Sequence, residues 1–301
     1  MEESNTLKTL IQDNAITSAR YEMSALEKNI IYIMMAQLKK EDTSDVNYYV
    51  SVRELMERTG TRNSYEDLKR ATETLIGRVL QIKRPNGNLL QVSMISSAEY
   101  MHGQGIIEIG LDPKIRPFFF DLKQNFTTFQ LHMALSLDSK YAKRIYEMLS
   151  QYKDIGVFKI ELLELKRRLL LYDDKTGEEQ YKNWSDFEKR ILLTAKKEIN
   201  EKTDLTISYN AKKVGRRYSD IEFTITRIRG AQTKIDFQDE SAVVFGRLIN
   251  EFRLRKDQAI QIVEKFSQSE IHKTLYDIKL KVASNEVKNI GAYTAKVFGL
   301  G

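Results

Sequence analysis

The sequence predicts an α+β protein made of two tandem winged helix-turn-helix domains and a small helical C-terminal region. Three observations carry that prediction. One order of elements (helix, short strand, helix, turn, helix, hairpin) is written twice. The two copies agree in hydrophobic phase. Finally, 301 residues with 42% hydrophobic content are ample for a core but long for a single one.

In the first copy, Ser24-Ala25-Leu26-Glu27 reads as a capping box, and Leu26, Ile30, Ile31, Ile33, Met34 and Leu38 follow at helical spacing. Residues 46–50 are a short β-rich piece. Val52–Thr59 reads as a short helix with Leu55 and Met56 inward and Gly60 ending it. Ser64 opens a third helix carrying Leu68, Thr72, Leu75, Ile76 and Val79 on one face. Strands at 79–83 and 89–95 flank the turn Arg84-Pro85-Asn86-Gly87-Asn88 and read as the wing. A third strand is expected at 105–111, and a helix leading out at 114–122.

The second copy starts with a helix over 139–152, with Tyr141, Ile145, Tyr146 and Leu149 inward. A strand at 156–160, a short helix at 162–171 and a polar loop at 172–181 follow. Ser185-Asp186-Phe187-Glu188 reads as a second capping box, opening a long helix to about Asn200. Strands at 205–210 and 218–227 enclose Lys212-Lys213-Val214-Gly215-Arg216-Arg217. Tyr65-Glu66-Asp67-Leu68 aligns with Trp184-Ser185-Asp186-Phe187, 119 residues later, and Leu68, Thr72 and Ile76 continue in phase with Phe187, Ile191 and Ala195. A flanking helix and hairpin that also match make duplication the better reading than chance.

The expected boundaries are 1–125, 126–235 and 236–301. The last segment reads as four amphipathic helices. These run through Ala242, Phe245, Leu248, Ile249 and Phe252; Ala259, Ile262, Val263 and Phe266; Ile271, Leu275 and Ile278; and Tyr293, Ala295, Val297 and Phe298.

The net charge of +6 is unevenly placed: the three segments sum to −1, +6 and +1. A polyanion partner fits that asymmetry better than a membrane surface does. No run approaches the ~18 apolar residues a bilayer span needs. There is no cysteine, which excludes disulfides, thiolate zinc sites and cysteine nucleophiles and makes a reducing cytoplasm the expected compartment. The acidic start Met1-Glu2-Glu3 does not read as a signal peptide.

The helix behind Ser185 is the most informative segment. At 100° per residue, Phe187, Ile191, Leu192, Ala195 and Ile199 share an inward arc. The opposite arc holds Asp186, Lys189, Arg190, Leu193, Lys196, Lys197 and Asn200, with four cations to one acid. Such a helix fits the DNA major groove, where Arg and Lys donate to guanine or phosphate and Leu193 could meet a thymine methyl. An ordinary solvated face is the plainer alternative. Lys212, Lys213, Arg216 and Arg217 crowd the following hairpin, where like charges repel and a passing phosphate backbone or minor groove would supply counter-charge. The first copy carries a milder set: Lys69, Arg70 and Arg78 on its third helix, Lys83 and Arg84 on its wing. Its −1 charge suits phosphate or protein contact rather than base reading, so the fragment 126–235 is expected to keep sequence preference and 1–125 to lack it.

Enzyme readings fare poorly. Neither a phosphate-binding G-x-x-x-x-G-K-[ST] nor a G-x-G-x-x-G is present, and no cofactor is implied. His102, His132 and His272 stand far apart in sequence, without H-x-H or H-E-x-x-H spacing for a metal. Asp173-Asp174 with Glu178-Glu179 could bind magnesium but reads more simply as an acidic loop. Phe118-Phe119-Phe120 reads as inter-domain packing, and Trp184 as a core anchor with a lesser role in stacking on DNA sugar.

Several segments resemble one family in combination. They are Ser139, Tyr141, Arg144, Ile145, Tyr146, Leu149 and Tyr152; the run Trp184 to Leu193 with Ala195 and Glu198-Ile199-Asn200; Lys213-Val214-Gly215-Arg216; and Ile221-Glu222-Phe223-Thr224-Ile225. Ile16-Thr17-Ser18-Ala19-Arg20-Tyr21 and Leu26-Glu27-Lys28 belong with them. Over roughly residues 10–230 the chain resembles the replication initiators of iteron-containing, theta-replicating plasmids. The resemblance implies binding of directly repeated origin DNA, origin opening by monomers and recruitment of host replication proteins. It also implies dimers that repress the initiator's own promoter or pair origins. Lys189, Arg190, Lys196 and Lys197 would read bases, Lys213 and Arg216 would follow the backbone, and the first domain would contact phosphates and dimerise. The C-terminal region falls outside the match, so its role (helicase loading, host-initiator contact or extra DNA contact) stays open. A transcription regulator is the alternative that the residues themselves leave standing, and an RNA-binding or protein-interaction module a third.

Overall fold

The computed structural model describes residues 8–228 apart from 40, 41, 44, 85, 104, 121 and 123, then 244, 247, 248 and 251–300 apart from 285. The first unit begins with β1 (Thr9–Asp13) and α1 (Asn14–Ser18). The three helices of the motif follow: α2 (Ala25–Met35), α3 (Val52–Thr59) and α4 (Tyr65–Gly77), with β2 (Asn47–Ser51) before α3. Ser24 caps α2 in a reciprocal box with Glu27, and Ser64 caps α4 with Asp67, so both helices begin where their first free backbone N–H groups find side-chain oxygens. Gly60, at φ +65°, supplies the left-handed residue that stops α3. Ile76 and Val79, expected inward, are exposed, because α4 ends at Gly77 and the chain turns out at Arg78.

Two hairpins follow α4: β3 (Leu80–Lys83) with β4 (Leu89–Val92), and β5 (Ile95–Met101) with β6 (Ile106–Leu111). β6 lies between β2 and β5 in a three-stranded sheet. The expected helix over 114–122 is corrected to a single 3-10 turn, Arg116–Phe118, shaped around Pro117. Arg116 is buried there, donating to the backbone carbonyls of Asp42 and Thr43 within the first unit and lying 4.7 Å from the Phe120 ring.

The second unit comprises α5 (Leu131–Ser136), α6 (Lys140–Ser150), β8 (Val157–Glu161) and α7 (Leu162–Arg168). A long helix follows as α8 (Trp184–Phe187), a wide π-type turn (Glu188–Leu192) and α9 (Leu193–Lys202). β9 (Leu205–Val214) and β10 (Arg217–Arg227) complete it. Its sheet order, β8-β10-β9, reproduces β2-β6-β5, with the last strand central both times. The wing of the first unit is therefore β5–β6, and β3–β4 is an inserted hairpin.

The units share one apolar core. β7 (Phe126–Gln130) pairs antiparallel with β1, so the first described strand grips the connection between the units. Under it sits an ionic cluster. Glu147 on α6 meets Lys28 Nζ at 2.5 Å and Arg144 at 2.7 Å, and accepts from Tyr32 at 2.9 Å. Arg144 also donates to Tyr21 and to the carbonyls of Thr17 and Ala19. At the rim, Arg20 meets Asp174 at 2.5 Å and donates to the Tyr172 carbonyl.

The C-terminal residues form a second core from α10 (Lys256–Lys265), α11 (Gln268–Ala283) and α12 (Ile290–Val297). It touches the second unit through Tyr276, whose hydroxyl accepts from the Lys159 N–H and whose ring meets Tyr152 edge-on. Ala242, Phe245 and Ile249 of the expected helix lie outside the described residues, while Val244, Leu248 and Phe252 are buried. Val297 is exposed rather than inward.

Candidate nucleic-acid interface

The inward arc of the long helix is as its periodicity predicts: Phe187, Ile191, Leu192, Ala195 and Ile199 are all buried. Its start is different. The helix begins two residues early, at Trp184 with Asn183 as its N-cap and no side-chain cap, so Ser185 lies inside the first turn and the expected capping box is absent. Glu188 reaches sideways instead, accepting from Trp184 Nε1 at 2.9 Å and from the Tyr209 hydroxyl on β9 at 3.1 Å. The uncapped first turn leaves N–H groups and the positive end of the helix dipole open to an anion.

On the outward arc, Lys189, Arg190, Leu193 and Lys197 are exposed and Lys196 is half-buried. Among the described residues no carboxylate pairs with these four cations. The neighbouring acid Glu198 is turned inward, accepting from the backbone N–H groups of Asp138 and Ser139. Asn200, expected outward, bonds the Ile207 backbone in both directions and ties the helix to β9.

The wing is longer than the alternation suggested. Pairing continues to Val214 and Arg217, leaving a two-residue turn, Gly215-Arg216, with Gly215 at φ +62°. Lys212 corrects the expectation of an uncompensated cluster: its Nζ lies 3.1 Å from Glu222 on the neighbouring strand. Hydrogen bonding from Lys212 is the main reason the Glu222 carboxyl sits below its ordinary range. Lys213 rests over the Tyr218 ring, 4.5 Å from its centre. Arg216 and Arg217 are exposed, with no carboxylate partner among the described residues.

Trp184 is half-buried and packs against the main core, as an anchor should. It stacks on Tyr218 of β10 at 4.0 Å and 21°, joining the first turn of the helix to the wing. Its neighbours Lys182, Arg216 and Arg217 line a cleft of about 700 Å³ between wing and α7. The sequence signal was the aromatic at the first helical position, since Tyr65 in the first unit likewise meets a wing tyrosine, Tyr100, at 5.1 Å.

The first unit disperses its candidates. Lys69 and Arg70 are exposed on α4. Arg78 is corrected to a packing role, 3.1 Å from Glu27 and 3.9 Å from Glu22. Lys83 and Arg84 are exposed but belong to the inserted hairpin β3–β4, whereas the turn of the true wing carries His102, Gly103 and Gly105. In the acidic loop, Asp174 is held by Arg20 and Arg167, and Glu179 by Lys166. No helix among the described residues is long and apolar enough to cross a membrane.

Residues 9–150 match the family described as initiator replication protein WH1, and residues 161–225 match initiator Rep protein WH2. The chain belongs to this family of replication initiators. It is 22% identical to an Escherichia coli replication initiation protein over 301 residues, covering 94% of the chain and 88% of that relative. It is 30% identical to the Escherichia coli PI protein over 146 residues, covering 44% of the chain and 48% of that relative. A crystal structure of Pi initiator protein in complex with iteron DNA shares the fold, with a TM-score of 0.62 at 21% identity, covering 73% of the chain and 98% of that structure.

Proposed function

We propose that the chain binds directly repeated duplex DNA at a plasmid replication origin, opens that origin and brings in host proteins, with the host initiator and the replicative helicase as expected partners. The second unit reads bases with Lys189, Arg190, Leu193, Lys196 and Lys197, and Lys213, Arg216 and Arg217 follow phosphates, with Lys212 beside them. Lys69 and Arg70, with Lys83 and Arg84, give the first unit weaker phosphate contacts. The reading rests on one observation above all: the unpaired cations of helix and wing belong to elements joined through Trp184 and Tyr218. The crystal structure of the similar Pi initiator protein in complex with iteron DNA supports the repeat as ligand. Action is non-enzymatic and cytoplasmic, by a monomer in equilibrium with a homodimer that represses its own promoter. Footprinting the purified protein over its own upstream region tests this. Regularly spaced repeated protections are expected; one palindromic protection would point to a transcription regulator.

A further inference from the structure

Glu188 is an odd residue to find in the first turns of a helix that approaches a polyanion, because a carboxylate there works against binding. Both of its oxygens are in use. One accepts from the indole N–H of Trp184, at the start of the helix; the other accepts from the hydroxyl of Tyr209, on the first wing strand. Trp184 in turn lies flat on Tyr218 of the second wing strand, and Lys213 rests over that same ring. Both strands of the wing are thus fastened to one turn of the reading helix. The buried arc of the helix also packs on the wing strands through the shared core, and Asn200 and Ile207 join α9 to β9 at the end remote from the wing tip; Glu188 adds the polar ties nearest the first turn.

We infer that Glu188 is a positioning residue that fixes the wing to the reading helix, so that both meet duplex DNA as one preorganised body. The inference rests on the proposed function and deepens it. A wing held in place pays less ordering entropy on binding, and its cations Lys213, Arg216 and Arg217 arrive at phosphates together with the helix. The sign of the effect separates this role from simple electrostatics. Deleting an acid beside DNA should strengthen binding; deleting the fastening should weaken it.

The test is fluorescence titration of the full chain with a duplex carrying its own upstream repeat and with a random duplex, across a salt series. Glu188→Ala should bind the repeat about tenfold more weakly, as expected for two lost hydrogen bonds. It should also lower the log–log salt slope by about one to two, although the variant gains a positive charge. Glu188→Gln should restore near-normal binding, since its amide oxygen accepts from Trp184 and its amide N–H₂ donates to Tyr209. Trp184 is the only tryptophan, so its anisotropy in the free protein should fall in Glu188→Ala and not in Glu188→Gln. Tyr209→Phe, which lacks a single hydroxyl, should move binding and slope in the same direction by less, and decides the matter if Glu188→Ala does not fold. Unchanged or tighter binding with an unchanged slope overturns the inference while leaving the functional reading intact. A wild-type chain without preference for the repeat overturns the functional reading, and the inference with it.

Discussion

Lys28 Nζ and Glu147 Oε1 lie 2.5 Å apart in the shared core, 119 positions apart in sequence. The pair fastens α2 of the first unit to α6 of the second, and Arg144, Tyr21 and Tyr32 complete its hydrogen bonds. Burial pushes the Glu147 carboxyl up, but Lys28 and Arg144 outweigh it and hold it below the ordinary value of 4.5. A depressed acid stabilises the fold fully above its unfolded pKa and loses that contribution as pH falls through the folded value. Lys28→Met should therefore cost about 3–5 kcal/mol at neutral pH, as breaking a buried pair does. Below pH 4.5 its deficit against the wild type should shrink. Thermal unfolding as a function of pH checks both.

Lys143 has the opposite character. It is wholly buried, donates to the Ala134 carbonyl and lies 5.5 Å above the Tyr32 ring. Burial first, then the Lys28 charge, pushes it down to about 7. A base with a depressed folded pKa is least costly above its ordinary value of 10.5, and the fold loses that advantage as pH drops toward 7. Lys143→Met should stabilise the protein at pH 7, on the order of 1–4 kcal/mol. The gain should diminish between pH 7 and 9; a constant difference across that range would refute the assignment.

For base reading, Lys189→Ala or Arg190→Ala should weaken binding to cognate repeats by about 1–3 kcal/mol while barely affecting random duplex. Competition titrations at one fixed salt concentration measure the difference. Equal losses on both DNAs would mean that these two side chains touch phosphate alone.

The wing should behave differently. Lys213→Ala with Arg216→Ala should lower affinity about equally on every sequence and reduce the salt slope by roughly two. A slope identical to that of the wild type would show that the hairpin points away from DNA.

Division of the chain gives the last prediction. Charge alone favours separable fragments, 1–125 and 126–235, but a cut there removes β7 from β1 and leaves Glu147 without Lys28. Both pieces should fail to melt cooperatively. Removal of residues 229–301 should instead spare the main transition and DNA binding, since the C-terminal core is separate and Tyr276 carries the described contact. Calorimetry of the three truncations distinguishes these outcomes.

Local signals were legible where one side chain settles a boundary. Ser24, Ser64 and Gly60 mark helix ends by chemistry confined to a few neighbouring residues. Ser185 failed because its intended partner, Glu188, is claimed by Trp184 and by a strand twenty-one residues on. β5 was missed because Ser96 and Ser97 break its apolar alternation, and with it went the identity of the first wing. The inward arc of the reading helix could be read from spacing, and so could its outward cations. Lys28, Lys143, Arg144 and Glu147 could not: charge reads as surface in a sequence, and only the tertiary fold shows these four buried together.

The pairing of β1 with β7 also sets a timetable for the nascent chain. At about 5–20 residues per second, Glu147 leaves the ribosome on the order of ten seconds after Lys28. For most of that interval α2, whose residues Ile30 to Met34 are all buried in the finished protein, lacks Phe129 of β7 against Tyr32, and from the emergence of Lys28 to that of Glu147 it lacks its counter-ion. The first unit cannot be completed vectorially from its own residues. A growing chain of this initiator therefore holds an incomplete core until α6 has emerged, and a chain stopped before that point is an unfinished core rather than a half-sized domain.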